Sequence, residues 1–333
     1  MNQQQSEKQL LTVSPSPHIR GKDTTASIMM DVLISLSPTA VWGIYVFGTR
    51  ALWLMLVCVL TCMLSEGITQ KILHREVTTG DLSAAVTGLL LALCLPVTMP
   101  LWQAAIGCVF AIVLVKQIFG GIGKNFMNPA LSGRAFLMLA FASSMTCFTP
   151  AYTRFWFSAS DAVASATPLV SLKAGTLPEA TLLDMLLGRT GGCIGEVSAL
   201  LLLLGGVYLL AKRIICWHIP VTYLGTVALL SLLICRADAS RLAVMAYELL
   251  SGGLLLGAFF MATDYVTSPV TKGGKIVFGV GCGALTVLIR TFGGYPEGVS
   301  FAILIMNALV WYLDSAFRPR VFGTQKGKVA RNG

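Results

Sequence analysis

The sequence predicts an all-α, polytopic membrane protein of about ten transmembrane helices, arranged as two inverted five-helix repeats. Three observations carry that prediction. Of 333 residues, 55% are hydrophobic and only 12% charged, with a mean hydropathy of +0.77. A soluble domain carries about 25% charged residues and could not hide so much apolar surface. The apolar residues fall in blocks of about 18–22, enough to cross a hydrocarbon core of roughly 30 Å at 1.5 Å per residue. Finally, Lys and Arg are concentrated in alternate segments between the blocks, the asymmetry that fixes membrane orientation.

Taken in order, residues 1–26 are polar and lack an apolar core before a small-residue cleavage site. They read as a cytoplasmic N-terminal segment, not a cleaved signal peptide. The first repeat, 27–148, holds spans at 27–48, 51–73, 82–99, 101–118 and 130–148. Within it, Asn128-Pro129 reads as a helix start, with proline in the first turn. Residues 149–191 form the only long connection and fall on the extracytoplasmic side. The second repeat, 192–316, holds spans at 192–212, 219–236, 242–262, 274–290 and 298–316, followed by a basic tail at 317–333. Sixteen Lys and Arg fall on the side of the two termini and seven on the other, with Arg134 inside a span. Both termini are therefore expected in the cytoplasm, which requires an even number of spans. The halves share a pattern: Gly88-Leu-Leu-Leu then Phe119-Gly120-Gly121, and Gly253-Leu-Leu-Leu then Phe292-Gly293-Gly294. A five-span unit repeated once must run in opposite directions, so its functional groups meet at the interface of the halves.

Several function classes are excluded. The net charge of +9 is topological, because no aromatic-basic stripe or zinc-ligand spacing supports a nucleic-acid partner. Nine cysteines form no CxxC pair and read as small buried hydrophobes, although Cys147 and Cys193 both fall near the outer boundary. Three scattered histidines argue against haem or a catalytic metal.

The outer connection contains Asp161-Ala-Val-Ala-Ser165-Ala166-Thr167-Pro168-Leu169. Small neighbours leave the Thr167 hydroxyl sterically open, and Pro168 holds the residue before it extended. On composition alone this is also an ordinary Ser/Ala-rich loop. The segment resembles the flavinylation motif of the family containing the D subunit of the Rnf electron-transport complex and the B subunit of the sodium-pumping NADH:quinone reductase. Thr167 matches the threonine that carries FMN through a phosphoester, Ser165 and Ala166 the residues before it, and Asp161 the acidic position. Ala164 stands where the pattern usually has Ser or Thr. Four further segments extend the resemblance: SPHIR (16–20), GKNFMNPALSGRAF (123–136), MATDYVTSPVTKGGK (261–275) and GGYPEGVSFAILIMNAL (293–309). Length and the basic tail look more like the Rnf member of the family than the longer quinone-reductase one.

The resemblance implies an electron-transfer subunit of a bacterial inner-membrane complex, active only with its partners and coupled to Na+ or H+ movement. It implies covalent FMN at Thr167, attached by a flavin transferase, and a non-covalent riboflavin in the bundle. Implied partners include a flavin-bearing extracytoplasmic subunit and iron-sulfur subunits. A single outer flavin cannot serve carriers across about 30 Å of hydrocarbon, so a second carrier is expected. Its expected surroundings are Asn125, Asn128 and Arg134 from the first half, with Thr263, Asp264, Thr267 and Ser268 from the second. The ionisable residues in or beside spans are Asp31, Glu66, Arg134, Glu196, Glu248 and Asp314; of these, Glu66, Glu196 and Glu248 read as parts of an ion path, as paired structural charges, or as groups near helix ends at the headgroups. An inverted repeat with broken helices also suits a secondary transporter or channel for a small solute.

Overall fold

The computed structural model describes residues 24–152, 167–234, 240–294 and 297–318. Residues 16–20, Asp161, Ser165, Ala166 and the basic tail beyond Arg318 lie outside the described residues. Among those described the chain is helical, with no strands.

In the first half, α1 (Thr25–Phe47) begins where the Thr24 hydroxyl accepts the Ser27 N–H at 3.1 Å, and ends at Gly48, whose φ of +80° permits an immediate turn into α2 (Thr49–Ile72). A 3-10 turn at Thr79–Asp81 leads into α3 (Ser83–Leu93), and Pro100 precedes α4 (Leu101–Gln117). The last eight residues of α4, Phe110–Gln117, are wound as a π-helix. Next come α5 (Pro129–Ala140) and the short α6 (Ala142–Met145). Two short helices, α7 (Pro168–Lys173) and α8 (Leu182–Leu187), occupy the long connection. The second half contains α9 (Ala199–Ala211), α10 (His218–Leu233), α11 (Arg241–Leu250), α12 (Leu254–Met261), α13 (Lys272–Phe292) and α14 (Val299–Ala316).

Helices α1, α2, α13 and α14 are long and apolar enough to cross a bilayer, and a fifth span results if α11 and α12, bent by 61°, count as one. Each of the ten expected spans meets a helix, but several helices are shorter than the apolar blocks. The 82–99 block is helical only to Leu93, because Pro96 and Pro100 cannot continue a hydrogen-bonded helix. The 192–212 block is helical only from Ala199, after a 3-10 turn at Ile194–Glu196. These two irregular stretches meet, with Ile194 N–H donating to Leu95 O at 3.1 Å. Leu95, Val97, Met99 and Ile194 are buried, so this open backbone is enclosed by protein.

The α11–α12 break is built from Gly252 and Gly253, at φ +68° and +64°, which side-chain-bearing residues rarely adopt. Arg290 of α13 supports it, donating to the carbonyls of Glu248 (2.8 Å) and Ser251 (2.9 Å) that the break leaves without helical partners.

Helix α2 packs on α3 and α4, α10 on α11 and α13, α13 on α14, and α1 on α9. Glycines set the closest approaches. A Cβ at Gly88 would lie 2.8 Å from Cys58 O, and one at Gly283 would lie 2.9 Å from Tyr223 O. Substituting Gly283→Val forces α13 off the α10 backbone, and is expected to cost about 1–3 kcal/mol. The check is the thermal midpoint of the detergent-solubilised chain, which should fall well below that of wild type. Elsewhere Leu56, Leu60, Leu64 and Ile68 form an exposed stripe at four-residue spacing on α2, a surface suited to acyl chains.

Candidate functional site

Two pockets with polar groups in their walls stand out among the described residues. The larger is a cavity of about 380 Å³ between α1, α3, the ends of α4, α9 and α12, and the start of α5. Its walls are mostly apolar, including Met29, Val32, Leu90, Phe259 and Phe260. Polar groups converge from both halves: Ser83, Lys116, Asn125 and Asn128 from the first, Thr263 and Asp264 from the second. A pocket of this size, mainly apolar with a few placed polar groups, is the usual form of a small-molecule site.

Local chemistry fixes these residues. Asn128 caps α5, its Oδ1 accepting from Ala130 N (3.0 Å) and Leu131 N (3.3 Å), with Pro129 in the first turn. Its Nδ2 donates to Met261 O at 3.2 Å, tying α5 to the end of α12. The helix-start reading therefore holds while the residue also lines the cavity. Asp264 accepts from Thr267 Oγ1 at 3.0 Å and its carbonyl takes the Ser268 N–H at 3.1 Å, so these two residues shape the turn behind the cavity and do not line it. Replacing Asn128→Ala is expected to cost about 0.5–2 kcal/mol of stability through the lost cap. Thermal denaturation checks this, and the vacant amide position should also weaken whatever the cavity holds.

Lys116 is a cavity residue that the sequence does not single out. The π-helical end of α4 brings it to the wall, where it pairs with Glu66 (2.7 Å) and donates to Ser83 Oγ (2.6 Å). Ser83 in turn donates to Asp81, and Gln117 donates to Glu66 at 2.6 Å. The only sequence signal is a lysine at the end of an apolar block, which the positive-inside count absorbs.

Arg134, expected beside the cavity, lies instead six residues beyond Asn128 along α5. There it is buried and ion-paired with Glu297, and it donates to Ser300 Oγ at 2.8 Å. Glu297, within the GGYPEG segment, is a partner that sequence reasoning missed. The ion pair borders the second site, a small pocket lined by Thr167, Thr190, Glu196, Ser251 and Glu297. Thr167 immediately precedes α7, and the residue is only 5% exposed. Its hydroxyl has no hydrogen-bond partner among the described residues. The expectation of a sterically open hydroxyl is thus corrected: Leu169 and Leu172 of α7 pack with Val244 of α11 and draw Thr167 inward. The pocket is small, about 10 Å³.

Three of the other ionisable residues that the sequence singles out have partners. Asp31 accepts from Lys212 and Tyr208, both at 2.9 Å, and Glu248 approaches Arg290 at 3.6 Å and accepts from Ser231. Asp314 accepts the Val270 N–H at 3.0 Å. Cys147 and Cys193 are both free thiols. Outside the helical core, the hydroxyl and backbone N–H of Thr181 hold the Asp184 carboxyl below its ordinary range, closing the capping box that starts α8.

The profile of the NQR2, RnfD, RnfE family matches residues 12–323. The chain belongs to this family. It is 48% identical over 321 residues to the D subunit of the Na(+)-translocating ferredoxin:NAD(+) oxidoreductase complex of Acetobacterium woodii, covering 96% of this chain and 97% of that one. It is 40% identical to the D subunit of the proton-translocating ferredoxin:NAD(+) oxidoreductase complex of Clostridium ljungdahlii, across 98% of this chain and all of the relative. The D subunit of the ion-translocating oxidoreductase complex of Stutzerimonas stutzeri is 41% identical, across 89% of this chain and 91% of its own length. As a member of this family with four to five helices able to cross a bilayer, the chain is a multi-pass membrane protein.

Proposed function

We propose that the chain is the D subunit of an ion-translocating ferredoxin:NAD+ oxidoreductase complex, carrying FMN on Thr167 and riboflavin in the large cavity, and coupling electron transfer to Na+ or H+ movement. Bound flavins supply one- and two-electron transfer that side chains lack. Asn125, Asn128, Thr263 and Asp264 hold the riboflavin ring edge with amide, hydroxyl and carboxylate groups, while Phe259, Phe260 and Leu90 exclude water. Lys116, already neutralised by Glu66, offers a cationic edge to the ring without leaving an unpaired buried charge.

The observation that carries the reading is the arrangement of the two sites on one helix. Asn128, which caps α5 at the cavity, and Arg134, whose ion-pair partner Glu297 lines the Thr167 pocket, are six residues apart, a rise of about 9 Å. That spacing suits successive electron carriers, whereas the full hydrocarbon thickness does not. Thr167 is only 5% exposed, so attachment requires the segment around it to open to the transferase. The free hydroxyl, with no competing hydrogen bond among the described residues, suits an acceptor once exposed.

The reading includes ten spans as two inverted repeats. Its support is that α2 packs on α3 and α4 much as α10 packs on α11 and α13, and that a Phe-Gly-Gly lies at the C-terminal end of both α4 and α13. Both termini lie in the cytoplasm and the Thr167 segment outside. The chain works with the complex's other subunits, among them a flavin-bearing extracytoplasmic subunit and iron-sulfur subunits, after maturation by a flavin transferase, and in contact with membrane lipid. Heat-denaturing the purified complex and chromatographing the supernatant tests the cavity assignment. One riboflavin released per chain supports it, and a supernatant free of riboflavin overturns it.

A further inference from the structure

From the wall of the large cavity a chain of hydrogen bonds runs out to the surface. We propose that Asp81, Ser83 and Lys116 form a proton relay that serves the flavin held in that cavity. The inference rests on the flavin reading of the cavity: reduction of a bound isoalloxazine takes up protons as well as electrons, and an apolar pocket filled by its occupant holds no bulk water to supply them.

Lys116 and Ser83 both line the cavity and are buried, at 3% and 6% exposure. An ammonium has three donors. Among the described residues, Glu66 (2.7 Å) and Ser83 Oγ (2.6 Å) take two of those on Lys116, which leaves the third for the occupant. The Ser83 hydroxyl donates onward to Asp81 Oδ1 at 2.6 Å. Asp81 stands behind the cavity wall, half-buried in the 3-10 turn beside the exposed Gly80, so its carboxylate meets water. Two short hydrogen bonds thus join the surface to the cavity.

The backbone is bent to make this connection. Leu82, between Asp81 and Ser83, has a φ of +63°, a left-handed conformation that residues with side chains rarely adopt. The turn lays the Asp81 carboxylate over both the N–H (2.8 Å) and the hydroxyl of Ser83. From the other side, the π-wound end of α4 carries Lys116. Glu66, only 1% exposed, keeps Lys116 charged at rest but is itself cut off from water. Asp264 also lines the cavity, where its carboxylate accepts from Thr267 in the turn behind.

The transfer balances. Lys116 gives one N–H proton to the cavity, and the Ser83 hydroxyl then turns from Asp81 to the Lys116 amine. The Asp81 carboxylate takes a proton from water and passes it to Ser83 Oγ as the hydroxyl proton passes to Lys116 Nζ. One proton enters at Asp81, one leaves at Lys116, and each side chain ends in the state in which it began.

The test is proton uptake by the intact complex in lipid nanodiscs on anaerobic mixing with reduced ferredoxin, followed with a pH-indicator dye in weakly buffered solution. Wild type is compared with Asp81→Asn, Asp81→Glu and Ser83→Ala. The amide oxygen of Asp81→Asn still accepts from Ser83, so the start of α3 keeps its hydrogen bond while the relay loses its proton carrier. One phase of uptake is expected to slow about 100-fold in that variant, the lower end of what a positioned proton donor contributes. It should return in Asp81→Glu, and in Asp81→Asn when formate is added as a small proton carrier. Slowing that neither glutamate nor formate relieves marks a structural role and overturns the relay. Uptake at the wild-type rate in Asp81→Asn overturns it as well, because protons then enter through the cavity mouth. Ser83→Ala cuts the chain but keeps the backbone N–H on Asp81, and it decides the matter if the Asp81 variants do not assemble: slowed uptake supports the relay and an unchanged rate overturns it. Non-covalent riboflavin is measured on the same samples. A wild-type complex without it sinks the flavin reading, whereas riboflavin present with unaltered uptake in the variants sinks the relay alone.

Discussion

Arg134→Met is expected to be the most destabilising single change in the chain. The guanidinium is buried between Glu297, Ser300 Oγ and Cys193 Sγ, with donor–acceptor distances of 2.8 Å to Ser300 and 3.8 Å to the sulfur. Removing it strands the buried Glu297 carboxylate without a neutralising side chain. Breaking a buried pair from one side typically costs about 3–5 kcal/mol, because the surviving charge has neither water nor partner. The complex should therefore accumulate poorly and lose much of its thermal midpoint. The double variant Arg134→Met/Glu297→Leu removes both charges and should recover most of the loss, since a buried pair replaced by apolar groups of similar volume is often neutral. Equal stability of the single and double variants would show that the pair is not what holds α5 against the start of α14.

Thr167→Val is expected to separate folding from function. Valine keeps the branched shape and removes only a hydroxyl that has no partner among the described residues. Deleting a buried, unsatisfied polar group costs nothing in hydrogen bonding and relieves its desolvation penalty, of about 1–3 kcal/mol. The variant should therefore be at least as stable as wild type and assemble normally. Its covalent flavin should nonetheless be absent, and ferredoxin-to-NAD+ electron transfer should fall to background. Thermal midpoint, flavin content and turnover measured on one preparation distinguish this from a general folding defect: stability retained with activity lost is the expected pair.

The long helices are legible in the sequence because a membrane span declares itself by length and apolarity, and α1, α2, α13 and α14 follow the predicted blocks closely. Legibility falls where a block is apolar but not wholly helical. Pro96 and Pro100 stop α3, Gly252 and Gly253 break α11 from α12, and hydropathy averages over both kinds of interruption. The cavity is partly legible. Asn125, Asn128, Thr263 and Asp264 converge as expected, because they belong to irregular segments that must be buried or line a cavity.

Charge pairing is not legible. Arg134 and Glu297 are 163 residues apart, and Glu66 lies on α2 while Lys116 sits at the π-wound end of α4. No local spacing announces either pair. The burial of Thr167 has the same origin: the small residues before it suggest access, but Leu169 and Leu172 after it pack with Val244 on a distant helix.

The central claim, that this is a flavin-carrying subunit, is tested most directly by in-gel flavin fluorescence of the denatured chain, purified after co-expression with a flavin transferase and followed by peptide mass spectrometry. The account predicts a fluorescent wild-type band, with FMN less one water added at Thr167, and a dark Thr167→Val band. A dark wild-type band with an unmodified Thr167 peptide would contradict it, and would leave the cavity as the binding site of a solute transporter.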